Sequence, residues 1–144
     1  LFILQVSSFS PVFADTHYWL ALANPRDPWH KPAGEAHVAL GPARVVTDDE
    51  VLSEFLTAMS GKPELRKVAV KMVQAVMQNP NIRVLPQTRD SFLRGLERYA
   101  ARGDKAYSLT DCASMNAMDA EGIREILTND HHFEQEGYIV LIKA

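Results

Sequence analysis

Four acidic residues, Asp15, Glu54, Asp111 and Asp130, stand where a fold has little use for charge and where a divalent cation has much. Asp15 and Asp130 close apolar runs that read as buried strands, while Glu54 and Asp111 lie on or beside the apolar face of helical segments. An ionised carboxylate buried without a partner costs several kcal/mol or is forced to take up a proton, so carboxylates that converge imply a bound cation. The set is rich in oxygen, and no Cys or His stands at a recognisable ligand spacing. That suits Mg²⁺ or Mn²⁺ rather than zinc. The chemistry of such a set is metal-assisted hydrolysis.

The elements that must position these residues alternate between short apolar runs and helical patterns, the signature of an α/β fold on a parallel sheet. Val12-Phe13-Ala14 reads as a strand, and Thr16 to Ala23 as a short helix that stops before Asn24-Pro25. The loop NPRDPWHKP leads into a helical piece from Ala33 to Leu40, ended by Gly41-Pro42. Ala43 to Val46 is a second strand. Thr47 and Glu50 are spaced as a capping box for a helix to about Ser60, with Val51, Leu52, Phe55 and Leu56 as its buried stripe. Pro63 opens a helix to about Gln78. Ile82 to Leu85 is a third strand, and Thr88 caps a helix that stops at Gly103. Ser108 and Asp111 form a second capping box for a helix through about Asp119, closed by Gly122. Glu125 to Thr128 and Tyr138 to Ile142 complete a sheet of about five strands. In such a sheet, sites form outside the carboxyl ends of the strands where the strand order reverses. If the first and fourth strands are neighbours, Asp15 and Asp130 share one crevice. Asp111, in a first helical turn, has the favourable end of a helix dipole.

With 144 residues, 47% of them hydrophobic, the chain suits one domain with a real core. The formal net charge of −3 gives no global attraction to nucleic acid or to an anionic membrane, so a polyanionic substrate must be met by a local basic patch and by metal. A single cysteine, Cys112, excludes an intrachain disulfide and fits a reducing compartment. The stretch LFILQVSSFSPVF is apolar but lacks a basic flank and a long unbroken run, so no membrane span and a cytoplasmic location are expected.

The strings VFADTHYWLAL, VVTDDEVLSEFL, YSLTDCASMNAM and ILTNDHHFEQEGYIVL resemble the four acidic motifs of PIN-domain ribonucleases, especially the VapC-type toxins of toxin–antitoxin pairs. The likeness runs from about Val12 to Ile142, and the four motifs occur in the family's order. It implies a three-layer α/β/α PIN-like domain over residues 12–144, preceded by an N-terminal extension over 1–11. It also implies that Asp15, Glu54, Asp111 and Asp130 bind Mg²⁺ or Mn²⁺, and that the protein is an endoribonuclease leaving 5′-phosphate and 3′-hydroxyl ends. A homodimer and a cognate antitoxin are implied in the same way. An RNA-binding or regulatory PIN-like module is the alternative from another class. A response-regulator receiver fits poorly, because the third strand is followed by Pro86-Gln87 rather than by a phosphoacceptor Asp.

Other polar residues are weighed against plainer roles. Thr16, Thr128 and Asn129 flank the acids and are expected to touch metal waters or substrate phosphate, although Thr and Asn are also ordinary turn formers. Arg94, Arg98 and Arg102 recur at helical spacing, and Arg94 and Arg98 are taken as a phosphate-binding strip against the plainer reading of a solvated face. His131 and His132 read as a solvated pair. Cys112 and Trp19 read as core.

Overall fold

The computed structural model describes residues 10–143. Most of the expected N-terminal extension therefore lies outside the described residues. Five parallel strands, β1 (Val12–Ala14), β2 (Val45–Asp48), β3 (Ile82–Leu85), β4 (Glu125–Leu127) and β5 (Ile139–Val140), form one sheet in the order β3-β2-β1-β4-β5. The helices are α1 (Thr16–Ala23), α2 (His30–Leu40), α3 (Asp49–Ala58), α4 (Pro63–Gln78), α5 (Arg89–Ala101), α6 (Leu109–Glu121) and α7 (His132–Gln135). They cover the sheet as the three-layer α/β/α arrangement expected. A parallel sheet with covered faces needs apolar residues in successive positions, and Val12, Phe13 and Ala14 are all buried. Cys112 and Trp19 belong to the same core, as expected.

The strand order reverses between β1 and β4, which pair directly through Phe13↔Ile126 and Ala14↔Leu127. This is the switch point at which open sheets form their crevice. The backbone N–H of Asp15 donates to the Leu127 carbonyl at 3.2 Å, so the chain enters α1 directly above β4.

Three local expectations change. The second strand runs two residues further than the sequence suggested, to Asp48, because Thr47 and Asp48 pair with Val84 and Leu85 of β3. Thr47 is therefore a strand residue whose hydroxyl donates to the Ala14 carbonyl at 2.9 Å. The cap of α3 falls to Asp48, whose carboxylate accepts from the Val51 N–H at 2.8 Å, in place of the Thr47–Glu50 box. The second helix starts at His30 rather than Ala33, since Pro32 is tolerated in a first turn whose N–H groups have no intrahelical partner. The short α7 lies between the fourth and fifth strands, where the sequence reading placed no element. The Ser108–Asp111 box is present in both directions, and Gly122 ends α6 in the left-handed region at φ 70°, where a side chain is strained.

Candidate metal centre

Asp15 stands at the N-cap position of α1, yet its carboxylate makes no cap hydrogen bond. It is 1% exposed and accepts from the Thr128 hydroxyl at 2.9 Å, while the His17 Nδ1 lies 3.3 Å away. Capping therefore does not explain it. Contact with Asp15 raises the His17 imidazole above its ordinary value against the opposing effect of burial, with Asp130 and Asp111 adding to the rise.

Thr128, fully buried, also accepts from the Asp130 N–H at 3.1 Å, so one hydroxyl ties the acid after β1 to the acid after β4. Asp130 in turn accepts from the His132 N–H at 2.9 Å, an Asx turn that fixes its carboxylate as the chain enters α7. Asp111 accepts from the Ser108 N–H through Oδ2 at 3.0 Å and is 9% exposed. Burial pushes its carboxyl up to about 6, and the Asp15 and Asp130 carboxylates push in the same direction. Three acids thus face one another across the switch-point crevice.

Carboxylate oxygens of Asp111 and Asp130 and a ring nitrogen of His132 all lie within 4.8 Å of one another. Glu54 stands further out, accepting from the Thr16 hydroxyl at 2.5 Å, so its link to the cluster runs through the residue next to Asp15. Among the described residues no Lys or Arg pairs with Asp15, Glu54, Asp111 or Asp130. Converging carboxylates without a protein cation, rich in oxygen donors, fit a hard divalent ion.

The sequence reading missed two contributors. Asp48, 3% exposed, accepts from the Ser114 hydroxyl at 3.2 Å, and burial pushes its carboxyl up to about 7, with Glu50 and then Asp15 among the smaller contributors. A strand read two residues longer would have placed it at the helix cap. His132 is the second. It is not one of a solvated pair: His131 is, with its side chain 85% exposed beside Glu134, whereas the His132 ring lies edge-on to Tyr107 with centroids 5.5 Å apart. The Asp-x-His spacing that makes the Asx turn is the signal that could have found it.

The arginines divide. Arg94 is exposed and pairs with Asp90 at 2.8 Å across one helical turn. Arg98 is largely buried and donates to Asn116, Asp119 and Glu136 at 3.0, 3.2 and 3.2 Å. It is a tie between α5, α6 and the turn before β5, which corrects the picture of an open phosphate strip. Both line a groove of 920 Å³ between α5 and α6 whose walls include none of the four acids. The Asn129 side chain makes no hydrogen bond among those found in the described residues.

No protein-family model matches the chain. Over 128 residues it is 27% identical to VapC20 of Mycobacterium tuberculosis, described as a 23S rRNA-specific endonuclease, covering 89% of this chain and 95% of that protein. The crystal structure of VapC20, a sarcin–ricin loop cleaving toxin, superposes with a TM-score of 0.81 at 26% identity, over 89% of this chain and 96% of the other. Rickettsia felis VapBC2, bound to a DNA fragment from its promoter, gives a TM-score of 0.63 at 11% identity, over 90% and 96% of the two chains. FitAcB from Neisseria gonorrhoeae gives 0.63 at 14%, over 90% and 96%. These last two share the fold. In sequence and in fold, along nearly its whole length, this chain is similar to VapC20, and the fold is that of the VapC-type PIN domains it resembles.

Proposed function

We propose that the protein is a Mg²⁺- or Mn²⁺-dependent endoribonuclease, the toxin of a toxin–antitoxin pair, acting in the cytoplasm. The observation that carries this reading is the crevice at the ends of β1 and β4, where Asp111 and Asp130 meet and Thr128 holds Asp15 beside them, with no Lys or Arg among the described residues to balance them. Asp15, Asp111 and Asp130 would hold the cation, with Glu54 joining through the side occupied by Thr16. A divalent ion there supplies Lewis-acid polarisation of a phosphodiester and a water acidic enough to attack it.

The chain's own residues do the rest. Thr128 fixes the Asp15 carboxylate and the backbone at Asp130, so the two acids keep their separation without a ligand. Asp111 or Asp15 accepts the proton of the attacking water, and the products carry 5′-phosphate and 3′-hydroxyl ends. Thr16 and Asn129, on the rim, hydrogen-bond the substrate backbone. Arg94 is held only by an exposed pair, which exchanges readily for an RNA phosphate. The likeness to VapC20 supports an RNA hairpin loop, ribosomal in origin, as substrate. Antitoxin and homodimer contacts are assigned to α4 and α5, where Val68, Val70, Met77, Leu93, Leu96 and Tyr99 expose apolar surface. No helix among the described residues is long and apolar enough to cross a membrane.

The test is incubation of purified protein with an RNA panel that includes a sarcin–ricin hairpin, with Mg²⁺ or Mn²⁺, alongside EDTA and Asp111→Asn controls. Metal-dependent cutting that the substitution abolishes is the expected result. Folded, metal-loaded protein that binds RNA without cutting it would replace the enzyme with a regulatory RNA-binding module.

A further inference from the structure

We infer that the metal centre is not made of oxygen alone: His132 supplies an imidazole nitrogen to the cation, giving this protein a preference for Mn²⁺ over Mg²⁺. The inference rests on the metal-dependent reading above and adds to the four acids a nitrogen ligand, His132, two residues after Asp130. Donor atoms around one small divalent ion lie about 2.0–2.2 Å from it, so neighbouring donors stand roughly 3–4 Å apart. Ring nitrogen of His132 and carboxylate oxygens of Asp111 and Asp130 fall within 4.8 Å of one another, a gap that small side-chain rotations close.

The imidazole is also held for the purpose. Its backbone N–H donates to Asp130 Oδ1, so ligand and neighbour are fixed by one Asx turn. The ring meets the edge of Tyr107, whose hydroxyl donates to Glu136 at 3.0 Å and reaches Gln135 at 3.3 Å. Tyr107 is buried, and Glu136 is itself gripped by Arg98 and Arg102. A ring confined in this way keeps its nitrogen near the acids, as supporting groups around a metal-ligating histidine do. The neighbouring His131 has no such support and pairs with Glu134 at the surface. Imidazole suits borderline first-row ions, whereas Mg²⁺ prefers oxygen, so a nitrogen ligand tilts the centre toward Mn²⁺.

Pulsed electron paramagnetic resonance on the Mn²⁺-loaded protein tests this directly, with ¹⁴N histidine compared against selective ¹⁵N-histidine labelling. A directly coordinated imidazole coupling is expected in the wild type and in His131→Ala, and its loss in both His132→Ala and His132→Gln. Calorimetric titration should show Mn²⁺ affinity falling about 10- to 100-fold in the His132 variants and Mg²⁺ affinity falling less than about threefold. Mn²⁺ binding with no histidine coupling in the wild type overturns the inference and leaves the nuclease reading standing. Coupling with no RNA cleavage upholds the ligand and removes the nuclease. Failure to bind Mn²⁺ at all overturns both.

Discussion

Two regions of this molecule bury charge, and they balance it in opposite ways. In the knot between α5, α6 and the turn before β5, Arg98 and Arg102 meet Glu136, and Arg98 also meets Asp119. Burial pushes the Glu136 carboxyl up, but hydrogen bonds from Arg102, Tyr107 and Arg98 bring it below its ordinary value. Every charge there has a protein partner. In the crevice at the ends of β1 and β4, three acids face one another, paired among the described residues with no Lys or Arg but with His17 and His132, and burial pushes Asp111 up to about 6. A region whose charges are mutually satisfied is scaffold, whereas one left with an excess of one sign is prepared for something that arrives from outside.

That contrast is broken or sharpened by four substitutions. The largest effect is expected from Asp111→Asn, which keeps an acceptor for the Ser108 N–H but removes a charge from the crevice. Cleavage should fall by about 10³-fold or more, equivalent to roughly 4 kcal/mol of barrier, while thermal unfolding in EDTA stays unchanged or moves upward. A variant that lost stability along with activity would make Asp111 scaffold too.

Arg98→Ala is the mirror experiment. It removes one of the two arginines that hold the buried Glu136 and the arginine partner of the half-exposed Asp119, and about 2–3 kcal/mol of stability should be lost in urea unfolding. Metal affinity measured on the folded fraction should hold. If stability were untouched and RNA affinity fell instead, the arginine would belong to the substrate surface.

Asp48 gives a pH-dependent comparison, because burial sets its carboxyl at about 7 against an ordinary 3.8. The folded protein holds this proton more tightly than the unfolded chain, so the associated stability is complete below about pH 4 and is lost as pH rises through 7. Asp48→Asn keeps an acceptor for the Val51 N–H and should gain on the order of 1–3 kcal/mol over the wild type at pH 8. The gain should shrink toward pH 4, and melts at pH 4.5, 6 and 8 follow it. A gain independent of pH would show that Asp48 is ionised throughout.

Arg94→Ala should be the mildest. Its pair with Asp90 is exposed and screened by water, so melting should barely move. RNA binding should weaken evenly across sequences, with the salt dependence of the binding constant reduced by about one unit of slope.

How much of this was legible in the sequence varies with the range of the interaction. The helix from Pro63 to Gln78, the Ser108–Asp111 box and the left-handed Gly122 are decided by neighbours a few residues apart, and their outlines agree with the sequence reading. The cap of α3 was misplaced because Thr47 and Asp48 are both good caps, and pairing with β3 decided between them. The four acids were picked out by type and position, since carboxylates at strand ends and on apolar helix faces are conspicuous locally.

What tertiary structure alone decided is which charges meet. Nothing within a helix's own sequence tells that Arg98 is drawn to Glu136, 38 residues on, while Arg94, one turn away, stays at the surface. Nor does His132 differ from His131 until the Asx turn at Asp130 and the ring of Tyr107 separate them. Local patterning determined the elements and the identity of the acids, because hydrogen bonding and burial within a segment repeat at short range. Which charges find a protein partner and which do not was left to the sheet order β3-β2-β1-β4-β5, which brings residues more than a hundred positions apart, Asp15 and Thr128, into one hydrogen bond.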